Sequence, residues 1–261
     1  IKNKKVVAII VALFIIEMTL VIASQQISKK NGGRINATNS SYEYEDEIDK
    51  AMKLFEDSPK PIHVIRDTLL LEDKIALNFE GNIDRETLKK IIEILDQNKL
   101  KATFFIPAME LSEEGYKAKL ILESGHDIGN YTLVGEKHME KQSPDRVISE
   151  LCRSQAIYEK YIGYRPNVIK FNATELTDSI LNEASVSGFD SIVDARIYLN
   201  YSSFKNEQTA KEYVEQLIGG NIVNIKLSGY LDEIEYKKGA NEANNISERY
   251  NYNCYTMYKI H

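Results

Sequence analysis

Apolar residues fall along this chain in two rhythms, short unbroken runs and helix-spaced stripes, and their alternation predicts the fold. In residues 74–108, Ile75, Ala76, Leu77 and Phe79 form a short run that suits a strand covered on both faces. Asp84 then stands as an N-cap, and Leu88, Ile91, Ile92 and Leu95 recur at helical spacing. Residues 101–106, with Phe104 beside Phe105, read as the next strand. This is a βαβ unit. It places the loop Asn78-Phe79-Glu80-Gly81-Asn82 at the carboxyl edge of a sheet, where chemistry in α/β folds usually sits.

The same alternation continues. Ser112 caps a helix whose Tyr116, Leu120 and Ile121 face inward, with Gly125 as its stop. Residues 126–130 form a strand. Ser143 and Pro144 start a helix over 143–162, closed by Gly163. Strands follow at 167–171, 189–193 and 221–227, with helices at 177–186 and 206–218. Residues 255–260 read as a final strand. The pattern predicts a parallel α/β barrel or open sheet of about six or seven strands.

Ahead of this core the pattern changes. Residues 6–23 are apolar apart from Glu17 and Thr19, and Lys2, Lys4 and Lys5 precede them. Length and flanking charge predict a membrane-spanning anchor with its N-terminus inside and the rest of the chain outside the cytoplasm. A cleaved signal peptide, giving a secreted protein, is the competing expectation. Residues 24–41 are polar and read as a linker. Residues 42–56 are acidic and helical, with Ile48, Met52 and Phe55 on one side, able to pack on the domain or stand as a stalk. Short strands at 62–65 and 68–71 lead onward. The expected division is 1–23 anchor or signal segment, 24–70 linker and acidic helix, and 71–261 a single catalytic-type domain.

Composition narrows the function classes. A net charge of −6 gives nucleic acid no electrostatic footprint. Cys152 and Cys254 are the only cysteines, too few for a disulfide framework. Cys152 falls on the apolar side of a helix and reads as a buried thiol, with a single bridge to Cys254 in an oxidising compartment as the alternative.

Taken with the frame Lys101-Ala102-Thr103-Phe104-Phe105, the segment His126-Asp127-Ile128-Gly129-Asn130 and Gly163-Tyr164-Arg165-Pro166, the Glu80-Gly81 loop resembles the polysaccharide deacetylase (NodB-homology) family. The resemblance implies an irregular (β/α)7 barrel of the NodB-homology type, preceded here by the N-terminal membrane helix and linker. It also implies removal of an acetyl group from an N-acetylated sugar. In that chemistry a divalent metal, usually zinc, is held by one Asp and two His and polarises the carbonyl and the attacking water. A second Asp is the base, and a His protonates the leaving amine.

Residue by residue, the resemblance puts Glu80 at the base position and Gly81, Tyr131 and Gly135 at the three metal-ligand positions. Lys170 falls where an Arg orients the base, and Lys226 where the His acid stands. Glu80 keeps a carboxylate; neither glycine can offer a donor. Glu136 and His138 could join Glu80 in a displaced metal site only if their loop folded back, and a solvated loop histidine is the plainer reading. His126 reads as structural. We therefore expect no cofactor, and a cell-wall or N-acetylated glycan, or a protein partner, bound without turnover. An active N-deacetylase with a rearranged site, using zinc or another divalent metal, is the alternative. Glu80, Lys170 and Lys226 are expected to meet at one barrel mouth, as an ion-pair network standing in for the metal's charge or as separate solvated groups.

Overall fold

The computed structural model describes residues 44–57, 62–68, 75–200, 203–204 and 206–227. The expected anchor at 6–23, the linker, Cys254 and the expected strands at 68–71 and 255–260 lie wholly or mainly outside these residues. Among the described residues no helix is long and apolar enough to cross a membrane.

Among the described residues, eight short parallel strands form one sheet. They are β1 (His63–Ile65), β2 (Ala76–Glu80), β3 (Thr103–Ile106), β4 (Asp127–Asn130), β5 (Val168–Ile169), β6 (Ser191–Val193), β7 (Ile197–Leu199) and β8 (Ile222–Lys226). The strand order is β1-β6-β5-β4-β3-β2-β8-β7. Three residues join β6 to β7, although the two lie far apart in the sheet order, so the sheet must curl. The Thr68 N–H donates to the Gly220 carbonyl at 2.8 Å, tying the exit of β1 to the entry of β8. The result is a parallel half-barrel.

The parallel α/β half-barrel agrees with the expected NodB-type fold, and the described residues add a strand that was not expected. β7 is the additional strand, and β1 draws residues ahead of 71 into the sheet by pairing with β6. Thr103 begins β3, and β5 is cut to two residues.

Helices fill the crossovers: α2 (Arg85–Gln97), α3 (Ala108–Glu113), α4 (Tyr116–Glu123), α5 (Pro144–Ile162), α6 (Asp178–Val186) and α7 (Glu207–Val214), with α1 (Glu45–Asp57) ahead of the sheet. Asp84 and Ser143 stand at the expected N-cap positions, Ser143 without a side-chain bond. Asp84 accepts from the backbone N–H of Glu86 and Thr87, and Thr177 from that of Ile180. Asn206 and Thr209 form a reciprocal capping box. The helix expected to start at Ser112 starts instead at Tyr116, as α4, with Gly115 at its N-cap; Ser112 lies inside the short preceding helix α3, where its hydroxyl donates to the Met109 carbonyl at 2.8 Å. Helix α1 packs on the domain: Ala51 shares a cluster with Ile148 and Cys152, flanked by Ile48, Met52 and Phe55. Arg165 forks onto Glu47 at 2.9 Å through both terminal nitrogens.

Strand alternation sorts the interior. Leu77, Phe79, Val223 and Ile225 face the helices in the main core. Their neighbours face the barrel interior in register: Ala76 with Ile222, Asn78 with Asn224, and Glu80 with Lys226. Three interior layers follow, running from an apolar amino-terminal end to a charged carboxyl edge. Phe105, Tyr131, Val193, Ala195 and Ile222 fill much of the space between.

Candidate functional site

Glu80 ends β2, so its side chain enters the last interior layer of the barrel. It is 3% exposed. Lys170 follows β5 and is 1% exposed. Its Nζ lies 2.9 Å from Glu80 Oε2. The approach falls outside hydrogen-bond geometry, so the contact is Coulombic first. The ammonium donates to the Tyr198 hydroxyl at 3.0 Å and sits 4.7 Å from the centre of that ring. Burial alone would depress the lysine; the Glu80 carboxylate and Tyr198 more than offset this and hold its pKa above the ordinary value.

Lys226 stands in register beside Glu80 but turns to Asn172, donating to Oδ1 at 3.2 Å. Asn172 in turn donates to the Gly135 carbonyl at 2.8 Å. The expected three-residue cluster is thus a buried Glu80–Lys170 pair, with Lys226 bonded to the adjoining loop through Asn172.

The three positions assigned to metal ligands converge here without a donor set. The Gly81 backbone has φ 105°, and a Cβ there would stand 3.2 Å from the Leu227 carbonyl oxygen. Only glycine adopts such a backbone readily. Tyr131, 2% exposed, points its hydroxyl toward Glu80 Oε1 at 3.5 Å. Gly135 has φ 74°, and a Cβ there would meet the Tyr131 ring at 3.3 Å. The aromatic ring occupies the room a side chain at 135 would need.

Among the described residues no three His, Cys, Asp or Glu side chains are grouped to hold a metal. An ammonium 2.9 Å from the one retained carboxylate also opposes a second cation there. The residues present do not fit a divalent metal held as the resemblance implies.

The loop carrying Tyr131 is strained and pinned. Thr132 has φ 60°, an outlier for a β-branched residue. Asn130 Oδ1 accepts from its backbone N–H at 2.7 Å, and its hydroxyl accepts from the Gly135 N–H at 3.0 Å. Asn130 is itself held by Ser154 at 2.8 Å. The buried Tyr158 hydroxyl accepts from the Tyr131 N–H at 3.3 Å and donates to the Ile106 carbonyl. Strain of this kind gathers at functional loops.

His138 lies outside the cluster: its side chain is 57% exposed and pairs with Glu140. Glu136 is held by Arg146 at 3.1 Å. The displaced metal site built from these residues and Glu80 therefore does not form. His126 is buried against Phe104, and burial lowers its pKa. Tyr198 and Tyr158 are the site residues the sequence reading missed. Tyr158 carries a helix-core signal and nothing more, while Tyr198 lies on the unanticipated β7, half exposed beside the ion pair.

Comparison with known proteins agrees with this fold. A polysaccharide deacetylase family profile matches residues 70–192. A peptidoglycan-N-acetylglucosamine deacetylase of Bacillus cereus is 23% identical over 122 residues, 47% of this chain and 56% of that protein. A second deacetylase of that description from the same organism is 28% identical over 116 residues, 44% of this chain and 42% of its own length. This chain spans about half the length of these curated relatives. Among solved structures, a family 4 carbohydrate esterase pseudoenzyme from Bacillus anthracis superposes with a TM-score of 0.54 at 19% identity, covering 65% of this chain and 59% of its own. A peptidoglycan N-acetylglucosamine deacetylase in complex with a hydroxamate gives 0.55 at 20% identity, covering 67% and 81%. The structural likenesses establish the fold.

Proposed function

This chain belongs to the polysaccharide deacetylase family, and on that premise we propose that it binds N-acetylated cell-wall glycan without metal-dependent deacetylation. One observation carries the reading: the buried Glu80–Lys170 pair at 2.9 Å, with Tyr131 beside it, stands where the family resemblance puts base and metal. The relatives' names point to N-acetylglucosamine of peptidoglycan as the glycan. Tyr198, 50% exposed, is held from below by the Lys170 ammonium and presents the remainder of its ring to solvent. Such an amphipathic ring suits stacking against a sugar face.

In this reading Lys170 supplies a fixed positive charge, Glu80 neutralises it, and the pair orients Tyr198. Residues 6–23 hold the domain at the cell membrane and outside the cytoplasm, with secretion as the other route to the same compartment. The competing reading, an active N-deacetylase with a rearranged site, draws on the retained Glu80 carboxylate at the base position.

Calorimetric titration of the full chain with N-acetylglucosamine oligomers tests the proposal. Saturable binding that weakens at least tenfold in Tyr198→Ala, with oligomers recovered still acetylated, is the expected result. Acetate release that disappears in Glu80→Gln would establish the competing reading, and absence of binding would remove the glycan role.

A further inference from the structure

Tyr198 sits on β7, the last strand in the sheet order, in register with the interior-facing Asn224. Its side chain therefore shares the interior face with Glu80, yet it stays half exposed while Glu80, Lys170 and Tyr131 are buried. A ligand arriving at the mouth meets Tyr198 before the groups behind it.

Chemistry fixes the direction of the bond between Tyr198 and Lys170. An ammonium carries donors and no acceptor, so across the 3.0 Å contact Lys170 Nζ donates and the tyrosine oxygen accepts. The hydrogen of the phenol is then directed elsewhere. Among the described residues it meets no acceptor. The Glu80 carboxylate lies against the Lys170 ammonium at 2.9 Å and faces the Tyr131 hydroxyl at 3.5 Å. The buried pair thus holds the Tyr198 oxygen from one side and leaves its O–H as a donor at the mouth.

From this geometry we infer that the Tyr198 hydroxyl is the specificity-determining group of the mouth, donating to the acetamido carbonyl of an N-acetylated sugar. The inference rests on the glycan-binding reading above and adds to it the group that distinguishes an acetylated from a de-N-acetylated residue. A carbonyl oxygen accepts and donates nothing, which matches the hydrogen Tyr198 presents. The ammonium of a de-N-acetylated sugar has no lone pair to accept it. To approach the same oxygen it would have to donate there beside Lys170, a like charge within hydrogen-bond reach of that atom.

The test is calorimetric titration of the full chain with the N-acetylglucosamine hexamer and with the glucosamine hexamer at physiological salt. Wild type is expected to bind the acetylated hexamer about fivefold more tightly, the worth of one hydrogen bond. Tyr198→Phe keeps the ring and removes the donor. It should weaken the acetylated hexamer by about that factor and leave the glucosamine hexamer within about twofold. Should the variant fail to fold, the N-trifluoroacetyl hexamer makes the same test on wild type. It is uncharged, but its carbonyl is a poorer acceptor, and it should bind more weakly than the acetyl hexamer. Equal binding of acetylated and de-N-acetylated hexamers by wild type, an acetyl preference that survives in Tyr198→Phe, or a trifluoroacetyl hexamer that binds as well as the acetyl one would each overturn the inference while leaving glycan binding in place. Failure of the acetylated hexamer to bind at all would remove the glycan role and this inference with it.

Discussion

Lys170 is the residue on which the site turns, because its charge is buried and answered by a single carboxylate. Truncating one partner of such a pair strands the other, which typically costs about 3–5 kcal/mol, whereas replacing both with apolar groups is far milder. Lys170→Met should therefore destabilise the domain strongly, and Lys170→Met with Glu80→Met should recover most of the loss in a denaturant double-mutant cycle. The titration has a definite sign. The folded pKa of Lys170 is raised, so its contribution is fully present below its ordinary value of about 10.5 and is lost as pH rises through the higher folded value. Alkaline unfolding curves should show a loss of stability above about pH 10.5 that flattens in the double variant. Gly81 is the second decisive residue. Gly81→Asp would place a carboxylate back at a ligand position, but φ 105° and the Leu227 carbonyl at 3.2 Å stand against it. A cost of about 1–3 kcal/mol is expected, read as a lower denaturant midpoint.

At the scale of elements, the loop after β4 rests on α5 through a carboxyl pair. Burial first, and Glu136 second, push the Glu150 carboxyl up to about 7. Its folded pKa exceeds the ordinary value of 4.5, so its contribution is present below that value and is lost as pH rises through about 7. Stability should decline between those values, and Glu150→Gln should make the decline shallower in pH-resolved thermal melts. Helix α1 makes a different prediction. Ala51 is 3% exposed where the helix meets α5, so Ala51→Asp should undock it. Hydrogen exchange should then accelerate over 45–57 and stay slow in β2 and β3. The elements themselves were largely legible in sequence where periodicity was long: α2, α5 and α6 start at the caps their residues announce. β7 was not, because Ile197–Leu199 is three residues long, begins three residues after β6, and shows no alternating pattern of its own. α3 was missed because Ala108–Glu113 is six residues long, and its Ser112 was read as the cap of the next helix.

At the scale of the whole molecule, the sequence located the site's edge and the residues at each motif position. What it could not give was which of them touch. The turn of Lys226 toward Asn172, and the placement of Tyr198 over Lys170, depend on how the sheet curls and how two loops cross its mouth. These contacts join residues distant in the chain, and no local pattern encodes them. The barrel has two polar layers and one apolar end, and its carboxyl edge carries an ion pair where the family resemblance expects a metal. A scaffold can be kept while a site changes its task.

The most direct test of that account is acetate release from an N-acetylglucosamine hexamer by the full chain, with and without one equivalent of added zinc. The account predicts no release above the blank in either condition. Release that depends on zinc and is lost in Glu80→Gln would contradict it.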